Sequence, residues 1–226
     1  MSHDNQINTL VFDLDGTLID TSRFIFPVYR KCFEIVNDKW NTNFNEADLL
    51  FIVKQIGTTN LEFSENLTLE FGKKSARILL DCVDQEFIKH VGIEKGAFFP
   101  NTEQVLKQLR GEKWNMAICT NAPTHYLDKI RTMYNLNAYF DEFYWIGLYP
   151  NKSKGWMIRQ ILKTFKTKLA IVIGDHRHDI IAAKENNLIS IGCMYGFAPE
   201  EAKLADYTIT DIIQLPDILQ KIKKGE

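Results

Sequence analysis

"LVFDLDGTLID", residues 10–20, joins an apolar run to three aspartates, Asp13, Asp15 and Asp20. A short apolar run bounded by turn residues reads as a strand covered on both faces. In a parallel α/β sheet, ligands bind beyond the carboxyl ends of such strands. A carboxylate desolvated without a partner costs on the order of several kcal/mol, so acids grouped at a strand end call for compensating charge. In an extended turn, residues two apart face the same way, which lets Asp13 and Asp15 share one site while Gly16 bends the backbone away. Asp20 reads differently, as the cap of a helix beginning near Ser22.

Working outward, residues 8–12 are matched by apolar runs at 115–119 ("NMAIC"), 169–173 ("LAIVI") and 189–194 ("ISIGCM"). Helical spacing recurs over 102–110, 124–134, 155–165 and 179–187. Strand and helix therefore alternate, and the fold class is α/β: a doubly wound, Rossmann-like parallel sheet. Residues 21–95 interrupt this pattern with helical periods only. Ile25, Val28, Tyr29, Cys32, Phe33 and Val36 share one helical face, as do Leu79, Leu80, Val83, Phe87 and Val91. The predicted organisation is a core of residues 1–20 and 96–226 with an inserted all-helical cap, residues 21–95, serving as a lid. Pro27 fits that reading if it lies in the first turn of its helix.

The composition is ordinary for a globular chain, with 45% hydrophobic and 25% charged residues. A formal net charge of −2 gives no basic excess, so neither nucleic acid nor an anionic membrane is expected as a partner. A small diffusible ligand is. The opening "MSHDNQINTL" lacks a signal-peptide pattern and no run of 18 apolar residues occurs, so the expected location is cytoplasmic. Cys32, Cys82, Cys119 and Cys193 form no C-x-x-C pair, and neither a disulfide nor a zinc site is expected.

"DLDGTLID" resembles the first signature of the haloacid dehalogenase superfamily in its phosphatase branch. The resemblance implies that Asp13 is the nucleophile that takes the phosphoryl group and that Asp15 is the general acid and then base. A second signature, a Ser or Thr ending an apolar strand, is matched by "AICTNAP". It gives the Thr120 hydroxyl and the Asn121 backbone N–H as phosphate-binding groups. The third is a phosphate-neutralising lysine, and "YPNKSKGWMIRQIL" offers Lys152 and Lys154. Lys154 lies four before Ile158 and seven before Ile161, on the buried face of its helix, whereas Lys152 faces solvent.

The fourth signature, an acidic pair after a strand, is matched by "IVIGDHRHDIIAAK". The resemblance implies that Asp175 holds Mg²⁺ with Asp13 and the Asp15 carbonyl, and that Asp179 orients the lysine or a metal-bound water. Asp179 also suits a helix's first turn. His176 and His178 depart from the small residue often found after the first acid; they are expected to face solvent or touch substrate rather than hold zinc. In the insertion, "KQIGTTN" (54–60) resembles a substrate-touching cap loop through Lys54, Gly57, Thr58 and Thr59, and equally reads as a plain helix–helix turn.

The four signatures in order, with the helical insertion between the first and second, resemble the phosphoglycolate-phosphatase-like members. They imply an Mg²⁺-dependent phosphomonoester hydrolase of a small phosphorylated metabolite. The alternatives are a phosphosugar mutase using the same aspartyl phosphate and a non-catalytic phosphate-binding protein. The second of these is disfavoured because Asp13, Asp15, Lys154 and Asp175 are all present. Asp15 also argues against the dehalogenase and phosphonate-cleaving branches, which lack the second acid.

Overall fold

The computed structural model describes residues 7–90 and 97–225. Strand β1 (Thr9–Phe12) is followed by four helices, α1 (Ser22–Trp40), α2 (Glu46–Val53), α3 (Asn60–Phe71) and α4 (Lys73–His90). The chain then runs α5 (Thr102–Gly111), β2 (Asn115–Thr120), α6 (Thr124–Met133), β3 (Glu142–Trp145), α7 (Lys154–Thr164), β4 (Ile171–Gly174) and α8 (Arg177–Glu185). It closes with β5 (Ile189–Cys193), α9 (Pro199–Ala202), β6 (Tyr207–Ile209) and α10 (Leu215–Lys224). Contacts divide it into two compact units, Met1–Asp20 with Phe98–Glu226, and Thr21–Ala97.

The first unit is built on six parallel strands in the order β3-β2-β1-β4-β5-β6. This is the doubly wound α/β class expected from the apolar runs. β1 and β4 are buried at every position, which is why their sequences do not alternate. Side chains of successive residues leave opposite faces of the sheet. Val11, Ala117, Cys119 and Val172 join Met157, Ile158 and Ile161 of α7 and Ala182 and Ala183 of α8 in one core. Phe12, the next residue along β1, meets the Phe140 ring edge-on at 5.7 Å between centroids.

The edge strands β3 and β6 have no counterpart in the sequence reading. Their residues are mostly half-buried: β3 ends on the aromatic run Phe143, Tyr144 and Trp145, which the sequence reading left unassigned, and β6 is only three residues long.

In the second unit, Val28, Tyr29, Cys32, Phe33 and Val36 of α1 pack with Phe44, Leu49, Ile52, Leu67, Ala76 and Leu79. Phe33 stacks on Phe44 at 5.1 Å, and Phe71 meets Phe44 edge-on. Two expectations for α1 need correction. Pro27 sits in the second turn rather than the first, because the helix already starts at Ser22, where the Thr21 carbonyl takes the N–H groups of both Phe24 and Ile25. Thr21, not Asp20, holds the N-cap position. Val91, placed by its spacing on the face of α4, lies outside the described residues, as do the first six residues of the chain. Among the described residues no helix is long and apolar enough to cross a membrane.

Candidate active site

The register of the sheet brings the chemistry-bearing residues to one edge. Phe12 is level with Ile118 of β2 and Ile173 of β4, so Asp13, Thr120 and Asp175 leave the same end of three adjacent strands. The Asp13 N–H still donates to the Ile173 carbonyl at 2.9 Å, and the chain then turns. Gly16 makes the turn with φ of 81°, and its N–H bonds the Ile19 carbonyl at 2.9 Å. An added Cβ at Gly16 would fall 2.3 Å from Asp175 Oδ2, so both the backbone angle and the space require glycine.

Lys154 is the first residue of α7, whose N-cap Ser153 accepts the Trp156 N–H. Its side chain is buried, with Nζ 2.6 Å from Asp13 Oδ1 and 2.5 Å from Asp179 Oδ1. The first contact is an aligned hydrogen bond, the second a close ion pair. Lys152 is exposed, its ammonium 5.3 Å from the centroid of the Trp156 ring.

Asp175 follows Gly174 at the end of β4. It accepts the Phe197 N–H at 2.7 Å and the Thr17 hydroxyl at 3.4 Å. Asp179, in the first turn of α8, accepts the His176 N–H through Oδ2 at 3.2 Å. His176 completes this reciprocal cap by accepting the His178 N–H through Nδ1 at 3.4 Å. His176 does not face solvent, as one of the two expectations for it had it: it is buried, its Nε2 lies 3.3 Å from Glu201 Oε2, and its ring stacks on that of His178. Burial pushes the His176 imidazole down to about 4, which suits a neutral ring acting as a cap.

Thr120 is buried at the end of β2, its hydroxyl oxygen accepting the Ala122 N–H at 3.2 Å while its own hydrogen remains a donor. Asn121 is buried beside it. Asp15 is held differently from Asp13, its Oδ1 receiving a hydrogen bond from the Tyr126 hydroxyl.

Electrostatics set the cluster apart. Burial pushes the Asp13 carboxyl up to about 6; the Lys154 ammonium pulls it down and Asp179 adds to the rise. Burial works against the charge of Lys154, but Asp13 and Asp179 outweigh it and hold the ammonium well above its ordinary range. Asp175 is raised well above the carboxylate range, first by burial and then by the charges of Asp13 and Asp179. One buried lysine thus faces three buried acids, Asp13, Asp175 and Asp179, whose nearest oxygens lie within 4.8 Å of one another. An all-oxygen set with uncompensated negative charge fits a hard divalent cation.

In the helical unit, Lys54 is the C-cap of α2 and Gly57 has φ of 95°. The Thr58 hydroxyl donates to the Gln55 carbonyl at 2.7 Å, and Thr59 caps α3 by accepting the Glu62 N–H. Both hydroxyls have local tasks in shaping the turn. Three participants at the strand ends were not legible as such: Tyr126, Thr17 and the Phe197 N–H. Tyr126 had a signal, since it shares a buried helical face with Leu127 and Ile130, but the reach of its hydroxyl to Asp15 depends on how the sheet assembles.

Comparison with known proteins agrees with this geometry. The model of the family described as haloacid dehalogenase-like hydrolase matches residues 10–193. The chain belongs to that family. The phosphoglycolate phosphatase of Vibrio vulnificus is 25% identical, over 95% of this chain and 96% of that protein. A predicted phosphatase from Clostridium acetobutylicum superposes with a TM-score of 0.74 at 26% identity, over 97% of this chain and all of that one. A β-phosphoglucomutase from Clostridium difficile shares the fold, with a TM-score of 0.72 at 18% identity over 97% of this chain and 98% of that one.

Proposed function

We propose that this hydrolase is a magnesium-dependent phosphomonoesterase acting on a small cytosolic metabolite through a phosphoryl group carried on Asp13. The observation that carries the reading is the buried contact of Lys154 Nζ with Asp13 Oδ1, 2.6 Å, at the strand end that also holds Asp175. In the first half of the reaction a carboxylate oxygen of Asp13 bonds to phosphorus while the ester P–O bond breaks, and Asp15 gives its proton to the departing alcohol oxygen. In the second half Asp15 takes a proton from water as that water attacks phosphorus. The bond to Asp13 breaks, and alcohol and inorganic phosphate are the products.

The Thr120 hydroxyl and Asn121 N–H are the donors for phosphoryl oxygens, and Lys154 offsets charge on phosphate and nucleophile together. Asp13, Asp175 and the Asp15 carbonyl oxygen would hold magnesium, with Asp179 orienting Lys154. When bound there, magnesium supplies positive charge against the phosphoryl oxygens. The resemblance to phosphoglycolate phosphatases makes 2-phosphoglycolate the first ester to test.

The deciding experiment measures phosphate release from a panel of 2-phosphoglycolate, glycerol phosphate, nucleoside monophosphates, sugar phosphates and p-nitrophenyl phosphate, with Mg²⁺ and with chelator. Magnesium-dependent release from at least one ester is expected. Isomerised sugar phosphate without free phosphate would make the chain a mutase, and full activity after exhaustive chelation would remove the metal from the scheme.

A further inference from the structure

Tyr126 lies in the first turn of α6, with its ring 3% exposed on the same face as Leu127 and Ile130. Phenylalanine would fill that space equally well, and a buried phenol adds a hydroxyl that needs a partner. The partner is Asp15 Oδ1, so a helix that follows β2 reaches a loop that follows β1. The main chain at Asp15 is already fixed: Asp15 and Ile19 form a parallel bridge, and the Gly16 N–H bonds the Ile19 carbonyl at 2.9 Å. With the backbone set, two side-chain torsions define where the Asp15 carboxyl points, and the phenol constrains both.

The nature of the donor matters as well. Asp13 is held by an ammonium, which favours the ionised carboxylate, whereas a neutral O–H donates to a carboxylate and to the carbonyl oxygen of a carboxylic acid alike. A group that gives up a proton in one half-reaction and takes one back in the next keeps such a contact throughout.

We propose that Tyr126 is a positioning residue for Asp15, holding its carboxyl in the orientation from which a proton reaches the departing alcohol oxygen. The proposal rests on the reading of Asp15 as general acid and base given above. The test compares wild type, Tyr126→Phe and Asp15→Asn on two esters from the panel, the fastest alkyl phosphate and p-nitrophenyl phosphate, whose leaving group needs no proton. The quantity read is kcat/KM, which reports only steps up to release of the alcohol.

Tyr126→Phe is expected to lower kcat/KM about ten-fold or more on the alkyl ester and less than about two-fold on the nitrophenyl ester. A purely structural role would lower both alike. Equal losses on the two esters, or no loss on either, overturn the proposal. Asp15→Asn without a leaving-group difference would remove the acid role of Asp15 itself, a failure recognisable whatever Tyr126→Phe does, and turnover of no ester would remove both. If Tyr126→Phe does not fold, 3-fluorotyrosine at position 126 keeps the ring and changes the donor strength. A shift in the ratio between the two esters is then expected, and an unchanged ratio counts against the proposal.

Discussion

The loop after β1 and the turn between α2 and α3 both carry polar side chains, but they find partners at very different distances along the chain. Thr58 and Thr59 bond to Gln55 and Glu62, within four residues of themselves. Asp13, Asp15 and Thr17 bond to Lys154, Tyr126 and Asp175, each more than a hundred residues away. Local partners shape a turn that any sequence with the same hydroxyls would form. Distant partners bring charges together at a cost in desolvation that local folding does not require, and that marks a site assembled for chemistry.

The sharpest way to break this contrast is to neutralise Asp13, the proposed nucleophile. Asp13→Asn should abolish turnover, by roughly 10⁴-fold or more, while circular dichroism stays that of the folded chain. Measurable hydrolysis by that variant, free of contaminating phosphatase, would remove the covalent scheme. Next in size is the pair of lysines. Lys154→Ala leaves Asp13 and Asp179 buried without their ammonium, and denaturant unfolding should show a loss of about 3–5 kcal/mol together with loss of phosphate release. Lys152→Ala should leave kcat/KM within about three-fold of wild type, as expected of an exposed charge.

A third test uses pH. The folded Asp13 carboxyl keeps its proton up to about 6, whereas the unfolded chain releases it near 3.8. The folded state therefore binds more protons between these values, so stability of the metal-free protein falls as pH rises from about 4 to 6, by a term on the order of 3 kcal/mol. Melting temperatures in chelator should follow that fall, and excess Mg²⁺ should flatten it. A metal-free melting curve that rises through this window would mean that Asp13 is compensated by its neighbours alone. The smallest effect is expected from the local turn: Thr59→Ala loses a helix cap worth about 1 kcal/mol and leaves kcat/KM within about two-fold. A larger loss of kcat/KM at an unchanged melting temperature would instead give that turn a part in the reaction, the other of the two readings its sequence allows.

What the sequence made legible follows the same division between local and distant. β1, β2, β4 and β5 were readable because burial on both faces leaves continuous apolar runs, and Lys154 was separable from Lys152 because a helical face is a local property. The edge strands were not: the aromatic run in Glu142–Trp145 is only half-buried and was passed over, and Tyr207–Ile209 is too short for a pattern to show before β5 pairs with it. His176 looked like a solvent-facing or substrate-facing residue until its imidazole was found closing the N-terminus of α8. Tyr126 was visible as a core aromatic, but its tie to Asp15 exists only once β1 and β2 lie side by side.

The central place of β1 also has a consequence for the order in which the molecule is made. Thr9 pairs with Asn115 and Leu10 with Ile171, so β1 leaves the ribosome well before the segments that flank it. The helices of Thr21–Ala97 emerge in the interval, and the buried residues of their core all lie within that span. The growing chain therefore carries an unpaired apolar strand until β2 and then β4 arrive. In that interval "TLVF" is an apolar strand without its neighbours, and Asp13 beside it has no lysine until α7 is made.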